Sequence, residues 1–183
     1  MNWEYLILHH TGAEEKDTDQ IRRYHLGLGW QDIGYHFVIE REGSVISGRS
    51  LTLPGAHCLA GGMNRRGIGI AVIGDLTKHP PLPEQTEALV ELLARLVKEY
   101  NIPLEHILGH REVPGAETLC PGKYFPLAEM RGRLSGTTRQ DADVNYSELW
   151  RVQVGAFSTR ERADAYAQKL QGQGIDAYVV RAK

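Results

Sequence analysis

The sequence predicts an α/β protein with a small strand–helix–strand unit at its C-terminal end. Two short runs rich in strand formers, residues 4–8 (EYLIL) and 68–74 (IGIAVIG), are separated by segments of helical periodicity. The second run is apolar almost throughout, as a central strand buried on both faces should be. Pro83, with Glu84 and Glu87 in the first turn, opens the clearest helix. It runs to about Tyr100 with Leu89, Leu92, Leu93, Leu96, Val97 and Tyr100 in one stripe. From about Arg131 to Ser147 the apolar pattern gives way to small, polar and charged residues, the composition of a linker between two units.

The first strand stops at His9-His10-Thr11-Gly12, so it delivers side chains to a sheet edge, where sites in α/β proteins tend to lie. Strand side chains alternate, so only one of the two histidines faces a given side. We favour His9 for the site and expect His10 toward the core or its neighbours. Thr18 is expected to cap a helix over residues 19–28 with Ile21, Tyr24, His25 and Leu28 on its inner face. His25 reads there as a packed or hydrogen-bonded residue, and Gly27 and Gly29 stop the helix. Gly34 precedes an alternating strand over residues 35–39 that sends Tyr35 and Phe37 one way, His36 and Val38 the other. Residues 41–44 read as a hairpin turn into a strand over 45–47. The glycine-rich residues 49–66, carrying His57, Cys58 and Asn64, have no periodicity, and a stretch of that length is functional or disordered.

Pro103 precedes a short strand around Ile107 and Leu108. Past the linker, residues 150–157 alternate like a strand, and Ser158 with Glu161 has the form of a capping box. A helix to about Gln171 then turns Ala163, Tyr166, Ala167 and Leu170 inward, and residues 175–180 form a last strand.

Composition excludes several classes. The chain has 183 residues, enough for one domain with a substantial core and a small second module. A net charge of −2 points away from nucleic acid and from anionic membranes. No apolar run approaches the ~18 residues that span a bilayer, and the opening MNWEYLILHH lacks the features of a signal peptide. Two cysteines, Cys58 and Cys120, make no disulfide framework, although a single bridge between them is a formal alternative to metal ligation.

The chemistry concentrates in residues 109–122, GHREVPGAETLCPG. This segment is too broken by proline and glycine for a helix or strand, so His110 and Cys120 sit on a loop that a rigid scaffold can aim. Imidazole and thiol are both zinc-compatible donors. His9, at the end of the first strand, offers a third.

Taken together and in order, LHHTG, GWQDIGYHF, GAH, GIGIAVIGD and GHREV…CPG closely resemble the zinc-dependent N-acetylmuramoyl-L-alanine amidases of the type 2 family, over roughly the first 130 residues. That group shares its fold with peptidoglycan recognition proteins and phage lysozyme-amidases. The resemblance implies a central mixed β-sheet flanked by helices and a groove holding one Zn2+ on His9, His110 and Cys120. Two histidines, a thiolate and an open fourth position for water form a catalytic rather than a structural zinc shell. The implied reaction is hydrolysis of the amide between N-acetylmuramic acid and L-alanine of the stem peptide, by zinc-activated water.

Tyr35 matches the family's catalytic tyrosine, with its hydroxyl at the oxyanion or the attacking water. Thr118 stands where some members carry a catalytic lysine, as in certain active recognition-type amidases, and is expected to assist orientation. Ala71 stands where another branch has a glutamate, which leaves the general base unassigned. His57, in GAH, and nearby Asn64 are expected to bind substrate; Cys58 reads as a small, partly buried hydrophobe. The C-terminal segment resembles one half of the sporulation-related (SPOR) repeat, a peptidoglycan-binding module.

The expected organisation is therefore a zinc amidase domain over residues 1–131, a linker over 132–147 and a SPOR-like half-repeat over 148–183. A unit that small buries little core, so we expect it to dock on the amidase domain or to pair with its copy in a homodimer. Trp150, Phe157, Tyr166 and Tyr178 are its aromatic candidates for glycan contact. The expected partner is peptidoglycan, both glycan strand and stem peptide, with no nucleic acid and no membrane insertion. The expected place of action is the cell wall, with release as a phage-type lysin as the route and recycling of wall fragments as the alternative. A non-catalytic peptidoglycan-binding module is the other reading of the whole.

Overall fold

A five-stranded mixed sheet in the order β3-β2-β4-β1-β5 organises the protein. The computed structural model describes residues 1–140, 155 and 157–171. The strands are β1 (Tyr5–His10), β2 (Phe37–Ile39), β3 (Val45–Ser47), β4 (Gly67–Val72) and β5 (Ile107–Gly109). The helices are α1 (Thr18–Gly27), the single turn α2 (Met63–Arg66), α3 (Pro83–Tyr100), α4 (Leu127–Gln140) and α5 (Arg160–Gln171). β1, β2, β4 and β5 run parallel, and only β3 is antiparallel, paired to β2 across the predicted hairpin. No helix among the described residues is long and apolar enough to cross a membrane.

The two faces of the sheet differ in kind. On one, Leu6, Leu8, Phe37, Ile39, Ile68, Ile70, Val72 and Ile107 meet Leu89, Leu92, Leu93 and Leu96 of α3 and Leu127, Met130 and Leu134 of α4. This is the main core, and the α3 stripe is the one the sequence predicts. The opposite face carries two small clusters. Ile7 packs with Cys58, Met63 and Val113, while Val38 packs with Ile21, Ile33 and Ile73. His9 follows Ile7 on that face and lies level with Ala71, which is in turn level with Val38. A face closed by loops instead of long helices leaves room for a site.

Several expectations are corrected. The cap of α1 is Asp17, whose side chain accepts from the amide of Gln20, while Thr18 is already helical. Thr18 and Asp17 are both good cap residues, and the carboxylate takes the role. The inner face of α1 is Thr18, Ile21 and His25, whereas Tyr24 and Leu28 are exposed. At β2 the alternation slips. The amide of His36 donates to Gly69 and its carbonyl accepts from Gly48, so the two groups point to opposite neighbours, where a regular strand residue presents both to one side. That break shifts the phase by one residue: Tyr35 packs beside Val38 on the site face, and His36 meets Trp3 edge-on at 4.8 Å.

The predicted linker begins too early, because residues 132–140 continue α4. Leu134 lies one turn beyond Met130 on the same buried stripe, but as the single large apolar residue there it gives a weak signal. The chain divides into units Met1–Asp143 and Val144–Lys183. In the second, α5 turns Ala163, Tyr166, Ala167 and Leu170 to its less exposed side, as expected, and the rings of Phe157 and Tyr166 stand 5.3 Å apart. The predicted strands over 150–157 and 175–180, with Trp150 and Tyr178, lie outside the described residues apart from positions 155 and 157.

Candidate active site

β1 ends with two histidines that leave opposite faces, as alternation requires. His10 accepts the amide of Leu76 at Nδ1 (3.0 Å) and so closes the strand end. His9 is 2% exposed and turns to the other face. His110 opens a single 3-10 turn, His110–Glu112, directly after β5, and Cys120 follows in the same loop. The ligand atoms of His9, His110 and Cys120 all lie within 4.8 Å of one another, the one such group of three among the described residues. His9 Nδ1 stands 3.5 Å from Cys120 Sγ. Two ligands of one tetrahedral zinc, with bonds near 2.0 and 2.3 Å, are themselves about 3.5 Å apart, so this pair is already spaced for a common ion.

The loop is braced around that spacing. The amide of Arg111 donates to the carbonyl of Cys120 (2.8 Å), and its guanidinium donates to the carbonyl of Gly122 (2.7 Å). Gly122 has φ +96°, and a Cβ there would stand 2.4 Å from the backbone of Leu76, so only glycine brings the loop this close. Glu112 accepts the amide of Gly109 (2.9 Å) and is clasped by Arg131 of α4, which also donates to the carbonyl of Ile107 (3.0 Å). Both sides of His110 are therefore tied down.

Burial sets the charges of the donors. It lowers His9 well below the ordinary histidine range, with His57 and His110 adding to the effect, and it lowers His110 also. Both imidazoles are thus neutral at neutral pH, with lone pairs to offer. Burial pushes the Cys120 thiol up to about 11, so the sulfur holds its proton until a cation displaces it. Two neutral imidazoles and one thiol suit zinc in the three-ligand arrangement of hydrolytic sites.

The other expected residues divide into two groups. Tyr35 reaches the site: its ring centroid is 5.3 Å from that of His9, and burial raises its hydroxyl well above the usual tyrosine range. Thr118 accepts the amide of Cys120 at Oγ1 (3.1 Å). His57 and Asn64 are drawn inward. His57 is buried, with Nδ1 3.2 Å from His9 Nε2. Oδ1 of Asn64 accepts the amides of both His57 (2.7 Å) and Cys58 (2.8 Å), and the residue also lines a shallow surface pocket with Pro54, Gly55, Leu59, Gly62 and Arg65. Cys58 is buried and its thiol is free, as is that of Cys120.

Comparison with known proteins follows the same outline. The N-acetylmuramoyl-L-alanine amidase family profile matches residues 1–123, and a SPOR domain profile matches residues 129–183. The chain belongs to the type 2 N-acetylmuramoyl-L-alanine amidase family. Peptidoglycan-recognition protein SC2 of Drosophila melanogaster is 36% identical over 128 residues, covering 64% of this chain and 67% of its own. The endolysin of Klebsiella phage KP32 is 35% identical over 124 residues, covering 63% and 78%. The solved structure of N-acetylmuramoyl-L-alanine amidase LysC from Clostridium intestinale superposes with a TM-score of 0.67 at 33% identity, covering 74% of this chain and 87% of that one.

For this family member, sequence reading missed the residues that hold the site. Arg111 is visible in GHREV as a basic residue beside His110, but its two carbonyl partners are not. Arg131 sits at the boundary where the composition turns to that of a linker. Ala71, level with His9 in the sheet and fully buried, offers no carboxylate to the site.

Proposed function

We propose that this chain hydrolyses peptidoglycan at the amide between N-acetylmuramic acid and L-alanine, with one zinc ion as cofactor, and that its SPOR region holds it on the cell wall. The convergence of His9, His110 and Cys120, with Tyr35 beside them on the same face, carries the reading. Bound zinc supplies a Lewis acid for the scissile carbonyl and lowers the pKa of a water molecule. The chain's own residues do the rest. Tyr35, kept protonated by burial, is a hydrogen-bond donor throughout the working pH range and is suited to the oxyanion that develops on the carbonyl. Thr118 spends an acceptor lone pair on the Cys120 amide, which fixes the ligand loop and leaves its hydroxyl proton to orient substrate. The floor of the site is small and apolar at Ala71, so no carboxylate there competes for the metal or serves as base.

Action on the wall fits both the endolysin relatives and the SPOR match. Release as a phage-type lysin is the route we favour. The deciding experiment measures zinc content and release of stem peptides from purified peptidoglycan, for the wild type and Cys120→Ala. One zinc per chain with peptide release, both lost in the variant, is the expected result. A zinc-free protein that binds the wall without releasing peptide would overturn the reading in favour of a binding module.

A further inference from the structure

We infer that His57 is a positioning residue that fixes His9 in the tautomer whose Nδ1 faces the metal, and that Asn64 holds His57 in place for that task. The argument starts at a carbonyl. The oxygen of Gly67 lies 3.1 Å from His57 Nε2, and a carbonyl can only accept, so the hydrogen sits on Nε2. The His57 ring is buried and its hydrogen-bond partners include no carboxylate, so it stays neutral, and its Nδ1 is therefore a bare acceptor. That nitrogen is 3.2 Å from His9 Nε2, which must then carry the hydrogen of His9. The lone pair of His9 is left on Nδ1, the atom 3.5 Å from Cys120 Sγ. Reversing the chain would set the bare Nε2 of His57 against the carbonyl of Gly67, two lone pairs facing each other in a buried place.

The rest of the structure is shaped around this relay. The His57 ring lies over two glycines: a Cβ at Gly69 would stand 2.3 Å from its Cδ2 and one at Gly55 2.4 Å from the same atom. Any side chain at either position would push the ring off His9. Asn64 accepts the amides of residues 57 and 58 with one oxygen, which pins the backbone from which the ring projects. A ligating histidine whose second nitrogen is held in this way is oriented and made more basic before metal arrives.

The inference rests on His9 being a ligand, and the test separates the two claims. Zinc affinity of the full chain is measured by chelator competition for the wild type, His57→Phe and His57→Asn, and the imidazole 15N shifts of His9 are recorded in the wild type. Phe keeps a ring but removes the acceptor, whereas the amide oxygen of Asn falls near the lost Nδ1. The expected result is zinc binding weaker by about 10–100-fold in His57→Phe, recovered to within a few-fold in His57→Asn, with His9 protonated on Nε2. Equal affinity in Phe, or equal loss in Phe and Asn, overturns the positioning role. A His9 protonated on Nδ1 overturns it also, whether or not either variant folds. A wild type that binds no zinc, with His9 protonated on Nε2, would instead defeat the proposed function and leave the tautomer assignment standing.

Discussion

Ending the amidase unit at Arg131, where the composition changes, should damage it, because the helix that covers the main core continues through Gln140. Leu134 is 2% exposed and packs in that core with Leu127 and Met130 of the same helix. Deleting a buried leucine side chain costs about 2–5 kcal/mol, the spread reflecting how far the cavity collapses. Arg133 and Glu87 form a two-contact ion pair between α4 and α3, but an exposed pair adds at most about 1 kcal/mol. The leucine therefore dominates. Since a domain of this kind is stable by about 5–15 kcal/mol, a loss near 4 kcal/mol is a large fraction of the whole. With a urea dependence of about 2 kcal/mol per molar, the midpoint should fall by roughly 2 M. The assay is urea unfolding of metal-free chains ending at residue 131 and at residue 140, with Leu134→Ala in the full chain as the cleaner version. Equal midpoints for the two truncations, or a loss below about 1 kcal/mol in Leu134→Ala, would refute the assignment of this segment to the folded unit.

Other outcomes follow from the same geometry. Tyr35→Phe should lower turnover by about 100-fold or more, the size expected for one oxyanion donor, with zinc content unchanged; a near wild-type rate would remove Tyr35 from the mechanism. Zinc uptake at pH 8 should release at least one proton per metal, the one displaced from the Cys120 thiol, both imidazoles being already neutral, with further release from the acidified water at the open position; proton release near zero in a weakly buffered titration would contradict that. Asn64→Ala should cost about 2 kcal/mol by leaving the amides of His57 and Cys58 without their acceptor, read by thermal or urea melts.

Acid should destabilise the chain in a definite window. Burial lowers His36 to about 4 and His57 to about 3, so the unfolded chain binds more protons than the folded one below pH 6.5. Their stabilisation is intact above 6.5 and is lost as pH falls, by up to about 1.4 kcal/mol per pH unit for each group. Urea midpoints that stay flat from pH 7 to pH 5 would contradict this.

How much of this was legible beforehand depends on how many residues report each feature. α3 displays its buried face six times over, and β4 is apolar at nearly every position, so both stand out in the sequence. The grouping of His9, His110 and Cys120 was legible for a related reason: His9 lies at the end of a strand, and His110 and Cys120 share a loop too irregular to be a helix or a strand. The orientation of Tyr35 was not. It depends on the backbone of His36 turning its amide to Gly69 and its carbonyl to Gly48, and no side chain in GWQDIGYHF announces that slip. Leu134 was missed because a single leucine among glycine, serine and threonine carries no period. His57 was read as a substrate-binding residue, and its burial against His9 was not legible, since that depends on a carbonyl at Gly67 and on two glycines that make room for the ring.

The same features explain why the site is costly and why it is rigid. Three histidines, His9, His36 and His57, are buried on or beside one sheet, and each is held neutral at the expense of acid stability. Each has a stated partner: His36 accepts the amide of Gly69 and contacts the carbonyl of Leu53, while His57 bridges Gly67 and His9. A buried polar network that is fully paired fixes one arrangement, because every alternative strands a donor or an acceptor. Here that arrangement points one lone pair of His9 at Cys120. The acid sensitivity and the readiness of the site for metal are thus two consequences of one set of hydrogen bonds. A variant that relieves the first by replacing His57 with an apolar ring should weaken the second.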